Sequence, residues 1–140
     1  MKAISFSLRN PGFHMHDCYI NQVVCNEQAL IFQLKYGLYV WNNGEYLQTG
    51  PAKLVFSKPL LSDCEIQYLR NNRRECVDVK VLQEDLKSGY IDLIYEMYNE
   101  SSAHFEGILI QGSEWKTVEI NIFFQKFEIL YEEERGFEHE

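Results

Sequence analysis

Residues 114–131 read EWKTVEINIFFQKFEILY, and their apolar positions change parity part-way along. Val118, Ile120, Ile122 and Phe124 share one face of an extended chain, whereas Phe127, Ile129 and Tyr131 fall on the other. A straight strand cannot bury both sets against one layer. The slip within FFQKF therefore predicts a β-bulge, or a strand that leaves one sheet and joins another.

The same period of two governs most of the chain, in which Tyr, Phe, Val and Ile are abundant. ISFSL places Ile4, Phe6 and Leu8 together, and ALIFQLKYG does the same for Leu30, Phe32, Leu34 and Tyr36. LYVW runs into Asn42-Asn43-Gly44, which predicts a hairpin about Asn43-Gly44 because such turns need positive φ at both central residues. Pro51 and Pro59 bracket a further short strand. A second hairpin is expected in CEIQYLRNNRRECVDVKV, with Asn71-Asn72 at its tip and Val77, Val79 and Val81 along its second arm. Residues 90–98 fit two templates, a helical stripe of Ile91, Ile94, Tyr95 and Tyr98 or a strand face of Ile91, Leu93, Tyr95 and Met97. Their β-branched and aromatic content favours a strand, preceded by a short helical turn near 82–88 that Gly89 ends. A last turn is expected at Gly112-Ser113-Glu114. The fold class is all-β and mainly antiparallel, a two-layer sandwich or partly open barrel of about nine strands with at most one short helix.

With 140 residues, 46% of them hydrophobic and 14% aromatic, the chain can bury a core. It reads as a single β domain over residues 1–131. Residues 132–140 carry five glutamates against one arginine, half of the net charge of −8, and read as a disordered acidic tail. That charge disfavours nucleic acid and anionic membranes as partners. The opening MKAISFS has no long apolar core and no small-residue cleavage site, which predicts a cytoplasmic protein. Cys18, Cys25, Cys64 and Cys76 form no C-x-x-C pair and are expected as free thiols, Cys64 on a buried face and Cys76 nearer to solvent.

Candidate chemistry is sparse. His14 and His16 point to one face of an extended backbone and could share a metal, with Asp17 as an orienting group and His104 as the third ligand. Arg70, Arg73 and Arg74 surround the Asn71-Asn72 turn, where guanidinium forks suit phosphate or carboxylate and also suit edge protection. Trp41, Tyr46 and Trp115, with Tyr90 and Tyr98, could form a stacking or protein-binding patch. No nucleophile elbow, phosphate-cradling glycine loop, zincin helix or calcium loop is present in the sequence, and no cofactor is expected.

MHDCYINQVVCNEQALIFQLKYG, residues 15–37, resembles the N-terminal part of several small bacterial families of unknown function, some described as immunity proteins of polymorphic toxin systems. The likeness rests on Met15, His16 and Asp17 followed by two alternating strands. It implies a small acidic intracellular protein that works by occluding a partner, such as a basic toxin, and has no chemistry of its own. Two function classes follow. One is a non-enzymatic protein-interaction domain using Trp41, Tyr46, Arg73, Arg74 and Trp115. The other is a metal-dependent enzyme or small-ligand binder on His14, His16 and His104. A homodimer through an edge strand is compatible with either.

Overall fold

A computed structural model of the chain describes residues 1–5 and 12–133. The elements are β1 (Lys2–Ser5), β2 (Phe13–His14), β3 (Tyr19–Ile20), β4 (Gln22–Cys25), β5 (Ala29–Leu34), β6 (Tyr39–Asn42), β7 (Glu45–Gln48), β8 (Ala52–Ser57), β9 (Glu65–Arg70), β10 (Arg73–Val77), α1 (Val79–Asp85), β11 (Tyr90–Tyr98), β12 (Ser102–Gln111), β13 (Glu114–Phe123) and β14 (Lys126–Tyr131). Phe6 and Leu8 of the expected first strand lie outside the described residues.

Two antiparallel sheets face each other. One has five strands in the order β1-β14-β8-β5-β4, the other six in the order β10-β9-β13-β12-β11-β3. Their inner faces meet through aromatic rings: Phe32 and Phe56 of the first lie 5.8 and 6.2 Å from Phe105 of the second, and Phe127 stacks on Tyr98 at 5.4 Å. The fold is a sandwich, and the described residues form no closed barrel. A third sheet, β2-β6-β7, has three short strands.

The parity slip at FFQKF marks a crossing between sheets. β13 lies in the six-stranded sheet with Val118, Ile120 and Ile122 inward; the chain turns over at Phe124-Gln125, and β14 enters the five-stranded sheet with Phe127, Ile129 and Tyr131 inward. A second crossing occurs at Asn21, between β3 and β4. Its backbone N–H donates to the Gln33 carbonyl and its side chain accepts from the Lys35 N–H, both at 2.9 and 2.8 Å respectively. These crossings split what sequence periodicity reads as single strands. With the two-residue β2 and β3, they raise the count from about nine to fourteen among the described residues.

Both expected hairpins form. Asn43 and Gly44 have φ of 49° and 92°, and Asn71 and Asn72 have 51° and 63°, the left-handed values that two-residue turns need. The helix begins three residues earlier than expected, at Val79, so Val79 and Val81 continue no strand. Leu82 and Leu86 are both buried and lie one helical turn apart, on the side of the helix that faces the core. Gln83 Nε2 donates to the Val23 carbonyl at 3.0 Å, so α1 covers the outer edge of β4, which would otherwise be open to pairing. Of the expected acidic tail, Glu132 belongs to the fold. Its N–H donates to Pro51 O at 3.0 Å, and its carbonyl accepts from the Gly50 N–H at 2.7 Å. Glu133 pairs with Lys2 at 3.7 Å. Residues 134–140 lie outside the described residues.

Candidate functional site

Phe13 and Met15 are buried while His14 and His16 look outward, as alternation along an extended backbone requires. Phe13 presents its edge to Tyr98 and Phe127, at 5.5 and 6.3 Å. Asp17 then takes a φ of 65°, closing a turn in which the Cys18 N–H donates to Met15 O at 2.9 Å. The turn is bound to β11 by backbone bonds between Asp17 N and Leu93 O and between Leu93 N and Cys18 O. His16 Nδ1 lies 3.0 Å from Asp17 Oδ2, with both side chains exposed.

His14 is paired with Tyr39 of β6, and Trp41 of β6 with Tyr46 of β7. Their side chains share the outer face of the three-stranded sheet. The His14 ring stacks on Tyr39 at 4.8 Å and meets Tyr46 edge-on at 4.6 Å, and Tyr46 meets Trp41 edge-on at 5.1 Å. Trp41 is nevertheless 49% exposed and Tyr46 45%. Burial, and then the neighbouring His16, hold the His14 imidazole below its ordinary range against the opposing pull of Asp17, which favours its neutral form. Four aromatic rings thus form a continuous, uncharged strip in a strongly acidic chain.

Behind the same segment lies a polar cluster. β11 carries a bulge between Leu93 and Tyr95 that reverses its facing, so the inward set runs Ile91 and Leu93, then Glu96 and Tyr98. Glu96 Oε2 accepts the Met15 N–H at 2.7 Å, and Oε1 accepts from Tyr98 Oη at 3.4 Å. Burial raises the Glu96 carboxyl above the usual range, outweighing those hydrogen bonds and the nearby His16. Burial and Asp17 likewise raise Asp92, whose Oδ1 is buried and has no hydrogen-bond partner among the described residues. Burial together with the Glu96, Asp17 and Asp92 carboxylates pushes the Cys18 thiol up to about 12, which removes it as a nucleophile at neutral pH. All four cysteines are free, with Cys76 exposed.

A raised carboxyl binds protons more tightly folded than unfolded, so its stabilising contribution is complete below the ordinary carboxylate range and is lost as pH rises through the folded value. Glu96→Gln keeps the acceptor for Met15 and abolishes this loss. The variant is expected to gain on the parent steadily from pH 4 to 7 in urea unfolding; a gap that stays constant or shrinks would show that Glu96 is not the group responsible.

The three histidines do not assemble. His104 stands on the outer face of the six-stranded sheet, its Nδ1 2.7 Å from Asn121 Oδ1 and its Nε2 3.0 Å from Glu106 Oε1. Burial lowers its pKa, but those hydrogen bonds and the carboxylates of Glu106 and Glu119 outweigh this and raise it overall. Both ring nitrogens are thereby engaged on the sheet, while His14 is engaged by aromatic rings. Among the described residues no group of three or more His, Cys, Asp or Glu side chains is placed to hold a metal ion. This corrects the expectation that His104 completes a ligand set with His14 and His16.

The expected partner-binding residues also divide. Trp41 and Tyr46 touch, whereas Trp115 is the second residue of β13, beside the β12–β13 turn of the six-stranded sheet, and is 63% exposed. Arg74 bonds Glu119 Oε2 at 2.6 Å and also Gln67 Oε1, so it serves as a cross-strand pair on the sheet's outer face. Arg73 faces Arg70 across the Asn71-Asn72 turn. Sequence reasoning missed Tyr39 and Glu96. The parity of Tyr39 with Trp41 was a usable signal, whereas Glu96 faces inward only because of the bulge. Among the described residues, no helix is long and apolar enough to cross a membrane.

Comparison of the chain with protein-family models, curated proteins and solved structures finds no match.

Proposed function

We propose that this chain is a small cytoplasmic, bacterial, non-enzymatic protein-interaction domain of immunity-protein type, which works by covering a basic partner. The observation that carries the reading is the strip of His14, Tyr39, Trp41 and Tyr46. Tyr and Trp combine large contact area with few rotatable bonds, and they dominate the energetics of protein interfaces. Their ring contacts fix them before binding, which lowers the entropy cost of association. A net charge of −8 around such a strip favours a partner with a basic face by steering and by excluding acidic competitors.

The test is a photo-crosslinking amino acid placed at Tyr46 in one protein and at Lys53, on the five-stranded sheet, in another, each expressed in a bacterial host beside candidate basic toxins. One basic protein should be captured from position 46 alone, and Trp41→Ala should weaken that complex by about 2 kcal/mol or more. Equal capture from both positions, or a Trp41→Ala complex of unchanged affinity, would overturn the reading.

A further inference from the structure

The tips of the β9–β10 and β12–β13 hairpins stand side by side and leave a notch of about 490 Å³ between them, lined by none of the residues of the aromatic strip. It arises because β9 pairs with β13 only as far as Leu69 opposite Thr117, while β13 runs three residues further, to Glu114. Past that point the Asn71-Asn72 turn diverges from β13. The β9–β10 hairpin contributes Arg70, Asn71 and Asn72 to the lining of the notch, and the β12–β13 hairpin contributes Ser113, Thr117 and, from opposite faces of β13, Lys116 and Trp115. The volume falls within the range of small-molecule sites.

Charge at this end of the molecule is unbalanced. Arg70 and Arg73 lie directly opposite each other in the β9–β10 ladder, an arrangement of like charges that weakens a hairpin. Among the described residues the side chain of neither makes a hydrogen bond or ion pair, in contrast to Arg74 beside them. Lys116 adds a third cation, its Nζ lying 4.6 Å above the Tyr68 ring. Glu114 in the lining and Glu75 on β10 are the acidic neighbours, and neither is paired with these cations among the described residues. In a chain of net charge −8, Arg70 and Lys116 in the lining and Arg73 opposite Arg70, none of them ion-paired among the described residues, constitute a place for an anion. Trp115 supplies the second half of the chemistry. It has no ring contact among the described residues and stands more exposed than Trp41, so its indole face is open to a planar group.

We propose that this notch binds a phosphomonoester that carries a planar ring, the chemistry of a mononucleotide, with the phosphate on Arg70 and the ring against Trp115. The guanidinium fork of Arg70 matches phosphate oxygens in pairs, and Arg73 and Lys116 raise the potential there. An anion seated between Arg70 and Arg73 also removes the repulsion that the free hairpin carries.

The full chain, labelled with nitrogen-15, provides the test through the indole N–H signals of its two tryptophans, with Trp41 as the internal control. Titration with AMP should move the Trp115 signal saturably and leave the Trp41 signal in place. Arg70→Gln and Arg73→Gln should each raise the midpoint about tenfold or more while the rest of the spectrum shows an intact fold. Adenosine, which lacks the phosphate, and ribose 5-phosphate, which lacks the ring, should both bind far more weakly than AMP. No movement of the Trp115 signal up to about 10 mM AMP would overturn the proposal, as would a midpoint unchanged in both arginine variants. Adenosine or ribose 5-phosphate matching AMP would overturn it too, the first by showing that the phosphate is not read and the second that the ring is not.

Discussion

Phe56→Ala is expected to lower the stability of this domain by about 3–5 kcal/mol, a large share of the roughly 5–15 kcal/mol that holds a typical domain folded. Phe56 sits on β8, between β14 and β5 in the five-stranded sheet, and is fully buried. Its ring stacks on Phe127 at 4.7 Å and an interplanar angle of 7°, and it meets Phe32 edge-on at 5.6 Å. Phe105 approaches from the opposite sheet at 6.2 Å and Phe124 from the crossing at 5.2 Å. One side chain therefore joins both sheets and the corner between them. Truncation leaves a cavity bounded by rings that stiff sheets hold in place, so the site cannot collapse to fill it. Phe123→Ala is the control, because the Phe123 ring is exposed at the end of β13; its cost should stay near 1 kcal/mol or below. Urea unfolding of both variants reads the difference, and a Phe56→Ala cost as small as that of Phe123→Ala would contradict the assignment of the core.

The sequence showed the sandwich most clearly where its periodicity broke. At FFQKF the apolar residues are dense on both sides of the slip, so the change of parity stands out and the crossing of β13 into β14 can be read. The matching crossing at Asn21 was hidden, because Tyr19, Ile20, Val23, Val24 and Cys25 are apolar at both parities and no phase can be assigned. Residues 90–98 were ambiguous for a related reason. A bulge adds one residue to a strand, so the inward spacing runs two, three, two, through Ile91, Leu93, Glu96 and Tyr98. A step of three resembles a helical turn, and the extra residue moves Tyr95 and Met97 to the outer face. Val79 and Val81 misled in the other direction. Their β-branched side chains extend the pattern of the preceding strand, but burying Leu82 and Leu86 against β4 outweighs that weak preference.

The aromatic strip divides along the same line between local and distant pairing. A two-residue turn at Asn43-Gly44 fixes register, so the pairing of Trp41 with Tyr46 follows from counting back from the turn. His14 reaches that strip through the pairing of β2 with β6, which are separated in the chain by β3, β4 and β5, so the pairing carries no local signal. His14, expected to share a metal with His16, instead has Tyr39 and Tyr46 against its ring, while His16 lies beside Asp17. Of the residues expected in a metal site, His14 alone thus joins two of those expected in a protein contact, Trp41 and Tyr46.

The strip depends in turn on how the three-stranded sheet is fastened to the sandwich, and Gly37→Ala should loosen that fastening at a cost of about 2–5 kcal/mol. Gly37 follows β5 at a φ of 78°, where its N–H donates to the Leu34 carbonyl at 3.0 Å and turns the chain toward β6. Next to it Thr49, 1% exposed, takes part in three hydrogen bonds. Its N–H donates to Leu38 O at 2.8 Å, its Oγ1 accepts the Leu38 N–H at 3.1 Å, and the hydroxyl donates to Gly50 O at 2.7 Å. An added Cβ at Gly37 would collide with that hydroxyl oxygen and with the carbonyl oxygens of Thr49 and Gly50. Gly44 has a similar positive φ of 92° but open space around the Cβ position, so Gly44→Ala isolates the backbone term, about 1–2 kcal/mol. The excess at Gly37 over Gly44 measures the packing of the lock, and hydrogen exchange should show it at the Leu38 and Thr49 amides, faster in Gly37→Ala and unchanged in Gly44→Ala. Equal costs for the two substitutions, with both amides still protected, would mean that the sheet carrying Trp41 and Tyr46 is held to the sandwich by something other than this junction.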